Sequence, residues 1–192
     1  MRRVALPLAV TALAAAAFVS LVAAQGEVPS PGLDSANIKV GPVALSEQGK
    51  QALSRTGAQP NEAGLIAKRE GVAFYQLSST PERKCFAVGP ASGASYQFGH
   101  VACTGSFPSP DQPILDFTLQ GGGRDLSARV LHGGGIAADG VRSVAYLDAD
   151  GHVLASAEVH DNVYAFSSLP QELPAALVAK DANGKIIYEL KF

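Results

Sequence analysis

The residues of this chain equipped for chemistry are four histidines, a scatter of carboxylates and two short glycine runs. His132-Gly133-Gly134-Gly135 has the form of an oxyanion-hole segment, in which glycine amides point at a developing negative charge. That use requires a nucleophile on a G-x-S-x-G turn, and the sequence holds no such pentapeptide. The glycines therefore read as a loop between strands. Asp139, Asp148 and Asp150 supply oxygens of the kind Ca²⁺ takes, but a Ca²⁺ loop needs about six to eight of them. Here D-A-D-G runs on into His152 and Val153, and Asp before Gly also suits a plain turn. His132, His152, His160 and Asp161 are metal-binding types without H-x-H or H-E-x-x-H spacing. Glu158 and His160 alternate onto one strand face, and Arg142 stands ready to pair with Glu158. No catalytic set, metal or cofactor is assigned. Should a metal bind, His160 and Asp161 are the first choices.

The element that must position most of these residues is Val141 to Phe166, two alternating runs around Asp148-Ala149-Asp150-Gly151. It reads as a long hairpin whose turn places Gly151 in the left-handed conformation. The expected register sets Asp148 opposite His152, Leu147 opposite Val153, Ala145 opposite Ala155 and Ser143 opposite Ala157. Arg142 then meets Glu158. A shifted register pairing Ser143 with Glu158 is disfavoured, because it leaves Arg142 opposite Val159. Ala176 to Leu190 forms a further hairpin about Asp181-Ala182-Asn183-Gly184, with Gly184 as its turn glycine. It echoes the first: His152-Val153-Leu154 follows one turn and Lys185-Ile186-Ile187 the other. Shared turn chemistry suffices to explain the likeness.

Other strands follow from alternation and breakers. Leu65 to Leu77 is a hairpin about Glu70-Gly71, with Val72, Phe74 and Gln76 on one face and Ala73, Tyr75 and Leu77 on the other. Lys84–Val88 and Ser95–Ala102 are strands joined through Gly89-Pro90 and Ser92-Gly93. Ile114–Leu119 is a half-buried strand, and Leu126–Leu131 another. Ser46 resembles an N-cap, so one short N-terminal helix is expected over about Glu47 to Arg55. Tyr75, Tyr96, Tyr146, Tyr164, Phe74, Phe98 and Phe166 read as core rather than as a binding platform.

Cys85 and Cys103 are the only cysteines, and their spacing lacks the C-x-x-C form of redox or metal pairs. They read as a disulfide stapling two neighbouring strands. Its loop of about 19 residues is worth roughly 3 kcal/mol in the chain-entropy model. The amino end, MRRVALPLAVTALAAAAFVSLVAAQ, has a basic start, an uncharged apolar run and a small-residue cleavage site, as a signal peptide does. Retention as a membrane anchor is the rival reading. Loss of residues 1–24 removes Arg2 and Arg3 and no acid. Fifteen basic and 17 acidic residues then become 13 and 17, a net charge of −4. Such a mild, dispersed charge argues against nucleic acid.

The expected organisation is a signal peptide at 1–24, a flexible linker at 25–43, and a strand-rich region with the disulfide at 44–112. A β-sandwich follows at 113–192, alone or in one domain with 44–112. Gly and Pro are abundant and Trp is absent, which fits a mainly β, antiparallel fold. The C-terminal half offers about six or seven strands with turn signals every 8 to 12 residues or so. Its layout resembles an immunoglobulin- or fibronectin-like module. The resemblance is one of architecture, since the Cys and Trp hallmarks are missing there. The expected protein is an exported, non-catalytic binding or adhesion module, extracytoplasmic, secreted or at the cell surface. Its partner is a protein or surface polymer, with no membrane contact after signal cleavage. The alternatives are an extracytoplasmic hydrolase using a His and an acid, and a structural envelope component.

Overall fold

The computed structural model describes residues 32–43, 63–79, 82–91, 100–117, 133–168 and 172–192, together with Glu47, Lys50, Gln51 and Ser54. Those four residues have helical backbone, and the rest of the expected helix lies outside the described residues. So do the signal peptide, His132, Tyr96, Phe98 and the expected strand at 126–131.

The described chain is mainly β and antiparallel. A five-stranded sheet has the order β1-β2-β3-β4-β5, from β1 (Gly41–Pro42), β2 (Gly64–Arg69), β3 (Val72–Ser79), β4 (Lys84–Pro90) and β5 (His100–Thr104). A three-stranded sheet, β10-β7-β6, joins β6 (Ile114–Asp116), β7 (Gly133–Ala137) and β10 (Val163–Phe166). A four-stranded sheet, β12-β11-β8-β9, joins β8 (Ser143–Leu147), β9 (Val153–Glu158), β11 (Ala176–Lys180) and β12 (Ile186–Lys191).

Strand alternation dictates the layering. Successive side chains of a strand point to opposite faces. In β10, Tyr164 and Phe166 pack with the four-stranded sheet, while Val163 and Ala165 pack with β3 and β4. In β7 and β6 the same split sends Ala137 and Ile114 one way, Ile136 and Leu115 the other. The three-stranded sheet is thus a middle layer with apolar contacts on both faces. The half-burial expected of Ile114–Leu119 does not hold. Its described part is covered on both sides, with Phe117 at 2% exposure joining Leu115 against β3 and β4.

Gly133–Gly135 is not a loop: it is the first part of β7, buried throughout. Tyr164, Gly135 and Asp116 stand in one cross-strand row. A Cβ on Gly135 would run into the Leu115 carbonyl and the Tyr164 ring, and one on Gly134 into the Tyr164 carbonyl. Glycine leaves room for the tyrosine ring to lie across the strand. Gly89 and Pro90, expected in a turn, continue β4 and pair with Ala73 and Val72. The Glu70-Gly71 turn is as expected, with both residues at positive φ. The two faces of β3 divide as the sequence indicates, Val72 and Phe74 to one cluster and Ala73, Tyr75 and Leu77 to another.

The central hairpin keeps its expected turn but not its whole register. Gly151 has φ 84, Asp148 N–H donates to the His152 carbonyl at 3.0 Å, and Leu147 pairs with Val153. A bulge then intervenes, so that Tyr146 pairs with Ala155, Val144 with Ala157 and Ser143 with Glu158. The disfavoured register is therefore the one adopted beyond the bulge, and Val159 N–H donates to the Arg142 carbonyl. The reason is burial. One inserted residue brings Ala155, Ala157 and Val159 to the same face as Val144 and Tyr146, while Glu158 turns to solvent.

The second hairpin repeats the first in full. Asp181 N–H meets the Lys185 carbonyl, Lys180 pairs with Ile186, and a bulge shifts Ala179 onto Tyr188. The flanking bonds match too: Arg142 to Lys180 and Ala175 to Leu147, Val159 to Arg142 and Phe192 to Ala175. Because Ala145 pairs with Val178, the two hairpins are related by a local two-fold through that pair. The echo seen in the sequence therefore covers two whole hairpins as well as their turns.

Candidate functional site

Among the described residues, three groupings of polar side chains stand out for their internal hydrogen bonds, and the exposed His160–Glu158 pair stands apart from them. The first lies between the three- and four-stranded sheets. Tyr164 reaches over Gly135 and donates its hydroxyl to Asp116 Oδ1 at 3.0 Å; Tyr146 donates to Oδ2 at 3.3 Å. Tyr164 has no exposed surface, and Tyr146 has 3%. Burial, and then the neighbouring Asp116 charge, push the Tyr164 hydroxyl well above its ordinary range. It therefore stays protonated and remains a donor. Phe166 stacks on Tyr146 at 4.8 Å and meets Tyr164 edge-on at 5.8 Å. The arrangement satisfies a carboxylate inside an apolar layer. Sequence reading places Tyr146, Tyr164 and Phe166 in the core and passes over Asp116. The one available signal is an acid inside the apolar run Ile114-Leu115-Asp116-Phe117.

The second grouping is Asp148, Asp150 and His152, whose ligand atoms lie within 4.8 Å of one another. Their geometry is that of the turn. Asp148 Oδ1 accepts the amides of Asp150 at 2.9 Å and His152 at 2.8 Å, and Oδ2 lies 3.0 Å from His152 Nδ1. The His152 amide is the main cause holding the Asp148 carboxyl below the usual range; desolvation opposes it, and the His152 ring and Asp150 amide assist. Asp181 Oδ1 does the same for Asn183 at 2.8 Å and Lys185 at 3.0 Å. There an amide and an ammonium stand where Asp150 and His152 stand in the first turn. One backbone forms with and without a ligand set, so the aspartate serves the turn.

The third grouping is Asp139. Its Oδ1 accepts the Asn37 amide at 2.9 Å and the Asn162 side chain at 2.8 Å, and Oδ2 accepts the Asn37 side chain at 2.5 Å. Desolvation raises this carboxyl, but donors from Asn37, Asn162 and Ser35 together outweigh it and hold the group below its ordinary value. Nearby, Asp139 N–H donates to the Ser35 carbonyl and Gly140 N–H to that of Gly32. Leu33 enters the core at 6% exposure, and Gly41–Pro42 pairs with β2. The later part of the stretch read as linker is thus docked from Gly32 onward.

His160 and Asp161 do not converge. His160 Nε2 lies 3.6 Å from Glu158 Oε2, whereas Asp161 Oδ2 accepts from Arg69 Nη2 at 2.9 Å, on the five-stranded sheet. Asp161 and Asn162 both have positive φ and form the tight link from β9 to β10. Glu158, expected beside Arg142, faces Ser143 instead. The Gly133–Gly135 backbone is engaged in ladders with β6 and β10, so its amides do not converge on a pocket. Cys85 and Cys103 are bridged directly across β4 and β5, with Cα atoms 4.0 Å apart. Comparison with protein-family models, curated proteins and solved structures finds no match.

Proposed function

We propose that this chain is an exported, non-catalytic binding module that meets a protein or surface polymer outside the cytoplasm. The observation carrying this reading is the commitment of three carboxylates among the described residues to internal donors. Asp116, Asp139 and Asp148 each accept at least two internal hydrogen bonds, which builds a rigid frame rather than a reaction centre. The leader-like amino end and the Cys85–Cys103 disulfide support an oxidising, extracytoplasmic address. The three-stranded β10-β7-β6 facing the four-stranded β12-β11-β8-β9 supports a seven-stranded sandwich of immunoglobulin- or fibronectin-like kind. On such a frame, contact surfaces are the connecting turns. Here these are held stiff by Asp148, Asp181 and the Asp161-Asn162 link.

Affinity capture from an envelope fraction tests this. One partner recovered in saturable amounts, and displaced by excess free chain, is the expected result. A hydrolase is the second reading, favoured by the exposed His160–Glu158 pair at 3.6 Å. An esterase and glycosidase screen decides between them: turnover lost in His160→Ala would replace the binding module by an enzyme.

A further inference from the structure

The local two-fold sets up a direct comparison of equivalent positions. Ala157 and Val159, on the inner face of the first hairpin, are 8% and 6% exposed. Their counterparts in the second hairpin are Leu190 and Phe192, which are larger and 41% and 66% exposed. The difference lies in the cover. Strand β9 is flanked by β10, which follows it through the His160–Val163 bridge. Strand β12 is the outer strand of its sheet and has β11 as its one sheet neighbour among the described residues. Beyond its bulge, an edge strand with large apolar side chains on its inner face is a template for another strand.

We infer that β12 pairs antiparallel with β12 of a second copy of this chain, about a two-fold axis at Leu190. The sequence of the strand selects that occupant and that register. Phe192 N–H bonds inward to Ala175, so by alternation the amides and carbonyls of Glu189 and Lys191 face the open edge. Centring on Leu190 sets each Glu189 opposite the partner's Lys191 and each Tyr188 opposite the partner's Phe192, with Leu190 meeting its own mate. Charges pair on one face and apolar groups on the other. Centring on Glu189 would set like charges together. Centring on Tyr188 or Ile187 would run the pairing through the bulge at Ile187 and set Ile186, on the outer face, against Leu190 or Tyr188 of the inner face. The Leu190 register uses the stretch beyond the bulge and extends the four-stranded sheet to eight strands. A contact of this length lies at the small end of specific interfaces, so the dimer forms and dissociates with concentration.

Sedimentation of the purified chain over a wide concentration range tests the inference, with a monomer–dimer equilibrium expected. Glu189→Lys places like charges opposite each other twice and weakens the dimer by about tenfold or more. The double change Glu189→Lys with Lys191→Glu restores it. Both side chains are exposed and lie 3.6 Å apart as an ion pair within the chain. An exposed pair of this kind adds little to stability, so a melting temperature close to the parent's confirms that the variants fold and assigns the lost association to the contact between copies. Leu190→Cys gives a covalent dimer on mild oxidation, because directly opposed positions on neighbouring strands suit a disulfide, as Cys85 and Cys103 show. A chain that stays monomeric at every concentration overturns the proposal. So does a dimer indifferent to Glu189→Lys, since its contact would lie elsewhere.

Discussion

The hairpins β8–β9 and β11–β12 share turn, bulge and flanking bonds, yet among the described residues one is sealed at its outer strand and the other open. Their sequences agree where the backbone demands it: aspartate to cap the turn, glycine at positive φ, aliphatics after it. They diverge where the surroundings decide, with Ala157 and Val159 against Leu190 and Phe192. A hairpin's form is thus set by a few turn residues, while the worth of each side chain is set by what lies across from it.

The strongest way to break this contrast is to remove the cover. Gly135→Val drives a side chain into the Leu115 carbonyl and the Tyr164 ring, and costs about 3 kcal/mol or more in urea unfolding. A near-neutral result would mean the middle layer does not hold the sheets as described. The equivalent pair Val159→Ala and Phe192→Ala sharpens it. The first empties a packed site and costs about 2 kcal/mol, while the second, an exposed ring tilted against Tyr146 at 6.2 Å, costs under about 1 kcal/mol in the monomer although it removes more atoms. Equal losses would refute the difference in cover. Gly151→Ala and Gly184→Ala probe what the hairpins share. Nothing lies near either added Cβ, so each reports the strain of left-handed backbone alone, about 1 kcal/mol and the same in both.

The smallest effect is electrostatic. The Asp148 and Asp139 carboxyls are held below ordinary values in the fold. Their contribution is therefore present above the unfolded value of about 3.9 and fades as pH falls through the folded one. Carboxyl chemical shifts followed by NMR should show both titrating below that value, and a midpoint at or above it would contradict the turn geometry.

Turns and pairings governed by local chemistry were legible in the sequence. Asp-Ala-Asp-Gly, Asp-Ala-Asn-Gly and Glu-Gly marked three hairpins, strict alternation sorted the faces of β3, and two lone cysteines found each other. What failed was decided at a distance. The bulge after Val153 answers to the burial of the Val144 and Tyr146 face, which is set by the middle layer and not by the two strands alone. Gly133–Gly135 looks like a breaker until the Tyr164 ring, from a strand beyond the whole first hairpin, is laid over it. Asp116 fits the alternation as an ordinary acid of a half-buried strand until two tyrosines from other strands close on it. Gly89 and Pro90 look like a turn until β3 is set beside them.

Residues 32–43 carry a mechanical consequence. They join Leu33 under the four-stranded sheet to Gly41–Pro42 on the five-stranded one, with Asn37 and Ser35 gripping Asp139 between. Pulled from residue 32, the described chain would load the hydrogen bonds of Asn37, Ser35 and Gly32 to Asp139 and Gly140 before the β1–β2 pairing.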